Sequence, residues 1–264
     1  MTTNSIMSRE NFKLEADDNY ISCSLLKNII ETTDIKKAVV EEKTSELWYE
    51  TLHGPGKVKF KNEITYEGNL KYGILNNEDP ENPCTLCFPD GTKYVVIIKK
   101  NRITGEGTYY FSNGAYYKGT VINGLRDGLG TYKSVDNKYY EGEWKAGLKH
   151  GKGKIIQGNM ELEGEWKYGI LCGKCKIKWK SGNVFEGELK NNAMNGDGYM
   201  IWYNKLEKYI GQWKNNLQNG FGIHIWYDNK QDNKFFRDRY IGEWKNGKRD
   251  GYGNFFLEME EYMR

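Results

Sequence analysis

The sequence predicts an all-β protein, an elongated single-sheet solenoid of about eight tandem β-hairpin repeats. The 264 residues include 31 glycines and four prolines, and glycine inside a helix costs roughly 1 kcal/mol relative to alanine. The chain is 14% aromatic yet 28% charged, with a mean hydropathy of −0.81. It is too aromatic for disorder and too polar for a thick two-layer core. A thin, repetitive fold of strands and turns fits this composition.

One recurring phrase defines the repeat. It is clearest in YYEGEWKAGLKHGKG, residues 139–153, where an aromatic residue, a glycine and a tryptophan alternate before a glycine cluster. The residues that open the copies are Tyr66, Tyr94, Tyr117, Tyr140, Leu162, Phe185, Tyr209 and Tyr240. These lead positions step by 28, 23, 23, 22, 23, 24 and 31 residues, so the unit has about 23 residues. The two long steps contain turn-rich or charged insertions, at 74–83 and 223–239.

Each unit is predicted to be a β-hairpin. Alternate residues of a strand share a face, so Tyr140, Gly142 and Trp144 should point one way and Glu143 the other. The glycine leaves space for a neighbouring aromatic ring, and we expect residues 147–151 to turn the chain. A lone two-stranded ribbon is marginal in water, so the hairpins should stack edge to edge.

Two sets of repeated positions are candidate site residues. The inward aromatic stripe should pack between repeats and, because a single layer leaves part of it uncovered, should also offer a groove to a protein partner. Its members are Tyr117, Tyr140, Trp144, Trp166, Phe185, Tyr209, Trp213, Tyr240 and Trp244. The structural glycines of the same face are Gly119, Gly142, Gly164, Gly187, Gly211 and Gly242.

Charged residues alternate on the opposite face. Lysines recur at Lys145, Lys167, Lys190, Lys214 and Lys245, and glutamates recur two residues before them at Glu143, Glu165, Glu188 and Glu243. Alternating signs indicate a solvated, self-neutralising ladder. The alternative is a lysine column that binds anionic phospholipids. A net charge of +3 without a concentrated basic stripe argues against nucleic acid as a partner.

Two Cys-x-x-Cys pairs imitate a zinc site, Cys84 with Cys87 and Cys172 with Cys175. Cys84 and Cys175, however, occupy the same glycine slot in units four repeats apart. With two strands per unit at a spacing of about 4.8 Å, that separation is about 40 Å, so one metal ion cannot join the pairs. With Cys23, the five cysteines do not make a disulfide scaffold, and we expect them to be reduced.

No pattern typical of catalysis or cofactor binding is present. His53, His150 and His224 are predicted to lie in or just after hairpin turns of different repeats, without a nucleophile at a common geometry. The glycine-rich stretches GKGKIIQG and GEGTYYFSNG neither open a helix nor precede Lys-Ser or Lys-Thr. We interpret the chain as non-enzymatic, with no cofactor, no metal and no small-molecule substrate.

Three regions are expected along the chain. Residues 1–46 should be a mostly flexible leader, with a short helix between 25 and 40 as an alternative, and residues 47–257 the repeat array. Residues 258–264 form a charged tail whose glutamates would discourage pairing at the sheet edge. No apolar run approaches the roughly 20 residues of a membrane span, and the first residues lack the apolar segment of a signal peptide. An intracellular, cytoplasmic protein is expected.

The phrase Y-x-G-x-W-x-x-G-x-x-x-G-x-G at this period resembles the MORN repeat, over residues 48–256. Within that family, residues 181–256, with a long charged insertion before RYIGEWKNGKRDGYG, are similar to the radial-spoke members, as is NPCTLCFPDGTKY. The resemblance implies a cytoskeletal scaffold in the axoneme of motile cilia or flagella, with other axonemal and radial spoke proteins as partners. A membrane-associated adaptor is the alternative. An enzyme subunit is the third reading, because MORN repeats also precede catalytic domains.

Members of that branch continue into further repeats, whereas this chain stops after one return strand. We therefore expect a shortened form or a divergent relative.

Overall fold

The computed structural model describes residues 53–60, 63–72, 74–228 and 235–257. Regular structure in these residues is strand, apart from a 3-10 turn at Tyr203–Lys205. The all-β prediction is therefore confirmed. The predicted leader, 1–46, and tail, 258–264, lie outside the described residues. Among the described residues, no helix is long and apolar enough to cross a membrane.

The described chain forms two compact units. The N-terminal unit comprises residues 53–158 with 166–170, and the C-terminal unit comprises 159–165 with 171–257. The strands of the N-terminal unit are β1 (His53–Lys59), β2 (Thr65–Lys71), β3 (Ile74–Leu75), β4 (Cys84–Cys87), β5 (Lys93–Lys99), β6 (Arg102–Tyr110), β7 (Tyr116–Ile122), β8 (Leu125–Lys133), β9 (Tyr139–Lys145) and β10 (Leu148–Gln157). β11 (Met160–Lys167) contributes residues to both units.

The strands of the C-terminal unit are β12 (Ile170–Trp179), β13 (Val184–Lys190), β14 (Ala193–Trp202), β15 (Glu207–Lys214), β16 (Leu217–Asp228), β17 (Phe235–Lys245) and β18 (Lys248–Leu257). From β4 to β10 and from β12 to β18, successive strands pair antiparallel in chain order, as tandem hairpins require, whereas β3 and β4 both pair with β2. We call the first strand of each hairpin the lead strand and the second the return strand. The second insertion lengthens one hairpin, because β16 and β17 extend into residues 223–228 and 235–239.

Two-residue turns close the hairpins. The central pairs are Asn123–Gly124, Ala146–Gly147, Tyr168–Gly169, Asn191–Asn192, Asn215–Asn216 and Asn246–Gly247, all at positive φ. Positive φ at both central residues is the requirement of a type I′ turn, whose twist matches that of the flanking strands. The prediction that residues 147–151 turn the chain is therefore wrong, since β10 already begins at Leu148. The later glycine serves a bulge: the register shifts between His150 and Gly153, and Gly151 has φ +55°.

A row of small residues runs across the middle of each sheet, and we call it the glycine row. In the N-terminal unit it pairs Gly119 with Gly130 and then Gly130 with Gly142. In the C-terminal unit it continues through Gly187, Gly198, Gly211, Gly222, Gly242 and Gly253. The row is needed because an aromatic ring lies on it: a Cβ at Gly130 would be 2.5 Å from Cε2 of Tyr117 and closer still to its hydroxyl.

Candidate functional site

In each unit, the aromatic residues of the predicted stripe form a stack of perpendicular rings. A lead ring contacts the tryptophan of its own hairpin and, edge to face, the tryptophan of the next one. Tyr117 lies 5.5 Å from Trp144, and Tyr140 lies 5.0 Å from Trp144 and 5.4 Å from Trp166. The same contacts join Phe185 to Trp213, Tyr209 to Trp213 and Trp244, and Tyr240 to Trp244, at 5.1–5.6 Å. Such pairs are worth about 0.5–1.5 kcal/mol beyond the area that they bury.

The polar atoms of the stripe are bonded to the backbone. Each lead tyrosine of five repeats donates its hydroxyl to the carbonyl three residues further on, across the glycine row. The donors are Tyr66, Tyr117, Tyr140, Tyr209 and Tyr240, at 2.6–3.2 Å. The indole N–H of Trp144 and that of Trp213 donate to the carbonyls of Gly130 and Gly198. Burial raises the pKa of Tyr66, Tyr117 and Tyr209 well above the usual tyrosine range.

All nine residues of the stripe are buried, none more than 7% exposed. The expectation of an uncovered groove is therefore not met by these side chains. In three hairpins the second residue of the return strand lies over the stripe. The Arg126 guanidinium lies 4.1 Å from the centre of the Trp144 ring, Nζ of Lys149 lies 5.2 Å from that of Tyr140, and the Arg249 guanidinium lies 5.6 Å from that of Tyr240. Partner binding by the stripe stays a prediction, and it now requires access from the end of the stack.

The outer charged face is solvated, and its lysines and glutamates are not directly paired. The carboxylate of Glu143 accepts the backbone N–H of Lys152, in the bulge of the return strand, at 2.9 Å. The side-chain oxygen of Gln212 accepts the backbone N–H of Phe221 at 3.0 Å. The five lysines at 145, 167, 190, 214 and 245 are exposed, and among the described residues none of them forms an ion pair. The mutual neutralisation of the alternating charges stays a prediction.

An apolar row on the outer face of the C-terminal unit was missed from the sequence. Tyr199, Ile210, Ile223 and Ile241 lie directly opposite one another on β14, β15, β16 and β17. We call them the outer apolar row. Ile210 is 40% exposed, and the other three are half-buried. Ile210 and Ile241 directly follow the lead aromatic residue, at a position where five other repeats have glutamate or lysine and the repeat that begins at Tyr94 has Val95. The signal was therefore present in the comparison of the repeats.

The outer apolar row has an acidic rim and a basic rim. Asp197 and Glu243 lie two residues from the row on the side of the hairpin turns, and the exposed ring of Phe221 lies opposite Glu243. On the other side, Lys208 and Arg239 occupy the next outward positions of β15 and β17, and they alternate with Ile201 of β14 and buried Ile225 of β16.

The corresponding row of the N-terminal unit is polar. It reads Thr108, Lys118, Thr131, Glu141 and Lys154 on neighbouring strands. The apolar character thus belongs to the C-terminal unit and is not a requirement of the repeat.

The cysteines occupy different environments. Cys84 and Cys175 are buried in the glycine row, opposite Gly68 and Gly187, and burial raises the pKa of each thiol to about 12. The Cys84 thiol donates to the carbonyl of Val96 at 3.0 Å. Cys87 and Cys172 are exposed. Within the described part of the chain, no group of three or more His, Cys, Asp or Glu residues is arranged to hold a metal ion.

His224 does not lie at a hairpin turn, so that prediction is wrong for this residue. It lies inside β16, facing inward opposite Tyr240, because the insertion extends this strand. Its Nε2 is 3.2 Å from Oε2 of Glu207, and its ring stacks on Trp226 at 4.2 Å. The residue is 3% exposed, which indicates a packing role.

Comparison with known families gives one match. The family described as MORN repeat matches seven segments, which together cover more than half of the chain: 98–116, 117–139, 140–159, 163–184, 185–206, 209–231 and 240–256. The first matched residues of five of these segments are the lead positions predicted above, Tyr117, Tyr140, Phe185, Tyr209 and Tyr240. A search of curated protein sequences gives no match.

Solved structures show weak likeness. The TCP10 domain of Danio rerio CPAP, in complex with a peptide of Danio rerio STIL, is 10% identical, with a TM-score of 0.42 over 72% of this chain and 84% of that chain. The TCP domain of Drosophila melanogaster SAS-4, in complex with a proline-rich motif of Ana2, is 11% identical, with a TM-score of 0.36 over 65% and 95% of the two chains. Likeness at this level carries no argument about function.

Proposed function

Because the chain belongs to the MORN repeat family, whose repeats indicate a module for binding proteins or membranes, we propose that it is a non-catalytic scaffold of the axonemal radial spoke. The assignment to the radial spoke rests on sequence resemblance. Residues 181–256, with their charged insertion and the phrase RYIGEWKNGKRDGYG, resemble radial spoke head protein 10 homolog B. Its partners would be other axonemal and radial spoke proteins of motile cilia or flagella.

The outer apolar row is the observation that carries protein binding. Ile210, Ile223 and Ile241 lie in cross-strand register on a solvent-facing sheet. Tyr199 continues the row, although its hydroxyl donates to Glu186 at 2.8 Å and its ring lies 5.0 Å from Nζ of Lys208. Full burial of an isoleucine is worth about 1.5–3 kcal/mol, so covering the exposed part of Ile210 would contribute about 1 kcal/mol. A partner that covers the row recovers this free energy.

The rims define the chemistry of the partner. Asp197 and Glu243 on one side and Lys208 and Arg239 on the other favour a segment that carries an aliphatic stripe between a basic edge and an acidic edge. An amphipathic segment of an axonemal protein with this pattern is the occupant that we propose for the row.

The test combines localisation with a paired variant. Proximity labelling and co-purification after detergent extraction of ciliated cells should recover axonemal proteins. Ile210→Lys with Ile223→Lys should reduce that recovery at least tenfold, because the partner would have to bury two charges. Thr131→Lys, which changes the equivalent outward position of the N-terminal unit, is the matched control and should leave recovery unchanged. Equal recovery by the paired variant, or recovery only in the detergent-soluble membrane fraction, contradicts the proposal.

A membrane-associated adaptor is the second candidate, and the exposed lysine column favours it. Each lysine near an anionic membrane surface is worth about 1 kcal/mol, and these five lack ion-pair partners among the described residues. Adaptor function is tested by flotation with two kinds of vesicle, one of phosphatidylcholine alone and one in which about one lipid in five is a phosphoinositide. Adaptor function predicts flotation only with the anionic lipid, and its loss when Lys190, Lys214 and Lys245 are changed to glutamine. Indifference to lipid charge removes this candidate.

A further inference from the structure

The last described strand, β18, presents an exposed edge. It pairs with β17 on one side, and no described strand of the C-terminal unit lies along its other edge. All ten of its residues are exposed. The return strands β8, β14 and β16, in contrast, are each covered by the next lead strand. Unpaired backbone N–H and C=O groups on a long edge are a template for another strand.

The covered return strands show what this edge is shaped to receive. In each one, the incoming lead strand places a glycine opposite the second glycine of the Gly-x-Gly motif and a tryptophan opposite the first. The glycine pairs are Gly130 with Gly142, Gly198 with Gly211 and Gly222 with Gly242, and the tryptophans Trp144, Trp213 and Trp244 lie opposite Gly128, Gly196 and Gly220. In β18 the same two positions are Gly251 and Gly253.

The closest internal precedent is β8, which shares the triplet Arg-Asp-Gly with β18. In β8, Arg126 lies over the incoming Trp144 ring and its Nη2 donates to the carbonyl of Gly147 at 2.7 Å. The carboxylate of Asp127 accepts the N–H of Ala146 at 3.1 Å. The N–H of Gly147 donates to the carbonyl of Arg126 at 2.8 Å. Both side chains thus hold the hairpin turn that follows the incoming strand.

In β18, the equivalent groups contact no incoming strand among the described residues. Arg126 lies over Tyr117 and Tyr132 of its own hairpin as well as over Trp144. The guanidinium of Arg249 makes only the equivalent contacts within its own hairpin among the described residues, 5.6 Å from Tyr240 and 5.4 Å from Phe255, and both Arg249 and Asp250 are exposed. Tyr240 contacts Trp244 of its own hairpin. Tyr117 and Tyr209 additionally contact the tryptophan of the following hairpin, and for Tyr240 no described residue takes that place.

We propose that the edge of β18 binds, by strand addition, an extended segment of another polypeptide with the pattern aromatic-x-Gly-x-Trp followed by a turn. Its glycine would lie opposite Gly253, its tryptophan opposite Gly251, and its aromatic residue opposite Phe255. Main-chain hydrogen bonds would supply affinity, and the glycine and tryptophan positions would supply specificity.

A second copy of this chain is not the occupant that the structure favours. The described lead strands β2, β7, β9, β13, β15 and β17 are already paired along both edges. Residues 258–264 contain neither glycine nor tryptophan, so they do not carry the pattern. The inference rests on the proposed function, since it names a protein partner, but it uses a different surface from the outer apolar row.

The probe is a fluorescein-labelled peptide with the sequence of residues 240–247, YIGEWKNG, titrated with the full chain and followed by fluorescence anisotropy. Saturable binding is expected. Peptides with Gly242→Val or Trp244→Ala should bind at least tenfold more weakly. The valine side chain would collide with Gly253 in the glycine row, and the alanine would lose the indole ring that packs over Tyr240. No saturable binding, or equal binding of the three peptides, overturns the proposal.

Two variants of the chain serve as a matched pair. Arg249→Ala should weaken peptide binding at least fivefold, and circular dichroism should show that this exposed substitution leaves the fold intact. Tyr252→Ser should have no effect, because Tyr252 is 88% exposed on the outer face, where Leu129 of covered β8 also remains 69% exposed. Unchanged binding by Arg249→Ala, or a fivefold loss by Tyr252→Ser, contradicts the proposed site.

The remaining outcomes separate this inference from the proposed function. Sedimentation should show that the chain alone does not self-associate; a dimer lost in Arg249→Ala would overturn the choice of partner. Ile210→Lys should leave peptide binding unchanged, since it lies on the outer face, away from β18. Peptide binding without recovery of axonemal proteins would contradict only the proposed function. Recovery of axonemal proteins without peptide binding would contradict only this inference.

Discussion

Gly130→Ala should destabilise the N-terminal unit by about 3 kcal/mol. The new Cβ would lie 2.5 Å from Cε2 and 2.6 Å from Cζ of Tyr117, whose side chain is fully buried. Forcing a methyl group into a filled core costs about 1–3 kcal/mol. Moving the ring also breaks the 2.8 Å hydrogen bond from the Tyr117 hydroxyl to the carbonyl of Thr120, which adds about 1 kcal/mol.

Urea unfolding followed by tryptophan fluorescence measures this loss, and a double-mutant cycle tests its cause. The repeat that begins at Leu162 lacks the phenol and has Cys175 in the glycine row, so a shorter lead residue leaves room for a side chain there. Tyr117→Leu alone should cost about 2–4 kcal/mol. The double variant should be more stable than the sum of the single losses predicts by at least about 1 kcal/mol.

The reasoning would be refuted by a Gly130→Ala variant as stable as the native chain, or by strictly additive losses in the cycle. Gly158→Ala is the control for the backbone, because a Cβ there would meet nothing within 4 Å. Its cost should be limited to the roughly 1–2 kcal/mol of a non-glycine residue at φ +57°.

Three further predictions follow from the same geometry. Gly151→Ala should cost about 1 kcal/mol more than Gly158→Ala in urea unfolding. Both glycines have positive φ, but only the Gly151 Cβ would displace the Glu143 carboxylate from its hydrogen bond with the N–H of Lys152; equal losses would contradict this prediction. Iodoacetamide at pH 8 should label exposed Cys87 in the folded chain and spare Cys84, because burial raises the pKa of the Cys84 thiol to about 12. Mass spectrometry should show the label on Cys84 only after urea is added; labelling of Cys84 in the folded chain would contradict its burial. The free energy of unfolding should fall as pH rises above about 10, because the buried lead tyrosines have raised pKa values, so the unfolded chain loses protons that the folded chain retains. A flat profile there would argue against their burial.

The repeat period and the two faces of each hairpin could be predicted from the sequence because they depend on local spacing. The alternation at Tyr140, Gly142 and Trp144 is a direct consequence of strand geometry. The placement of Cys84 and Cys175 in the glycine row followed from the same alignment, and the structure confirms it.

The turns at Ala146 and Tyr168 could not be located, because positive φ at such ordinary residues leaves no clear mark in the sequence, whereas the Asn-Gly and Asn-Asn pairs of the other four turns did carry a type I′ signal that was not used. Ala146 and Tyr168 both adopt φ near +50°, whereas the nearby glycines suggested a longer turn. Those glycines serve the bulge, whose position depends on a contact with Glu143 across the hairpin.

Burial of the stripe and the outer apolar row depend on register between hairpins. Trp144 covers Tyr117 of the preceding hairpin, and Arg126 closes over both, so exposure cannot be judged within one unit. Ile210 and Ile223 are 13 positions apart in the chain, and only strand pairing makes them neighbours.

The glycine row limits how such a protein can change in length. Five lead rings, those of Tyr117, Tyr140, Phe185, Tyr209 and Tyr240, pack on glycines of two adjacent strands, so removing a single strand would take away one of the two glycines on which a ring packs. Removing or duplicating a whole hairpin together with its ring would leave every remaining ring packed on both of its glycines. Evolution of the array should therefore proceed by complete cassettes, with piecemeal insertions confined to the tips of the ribbons.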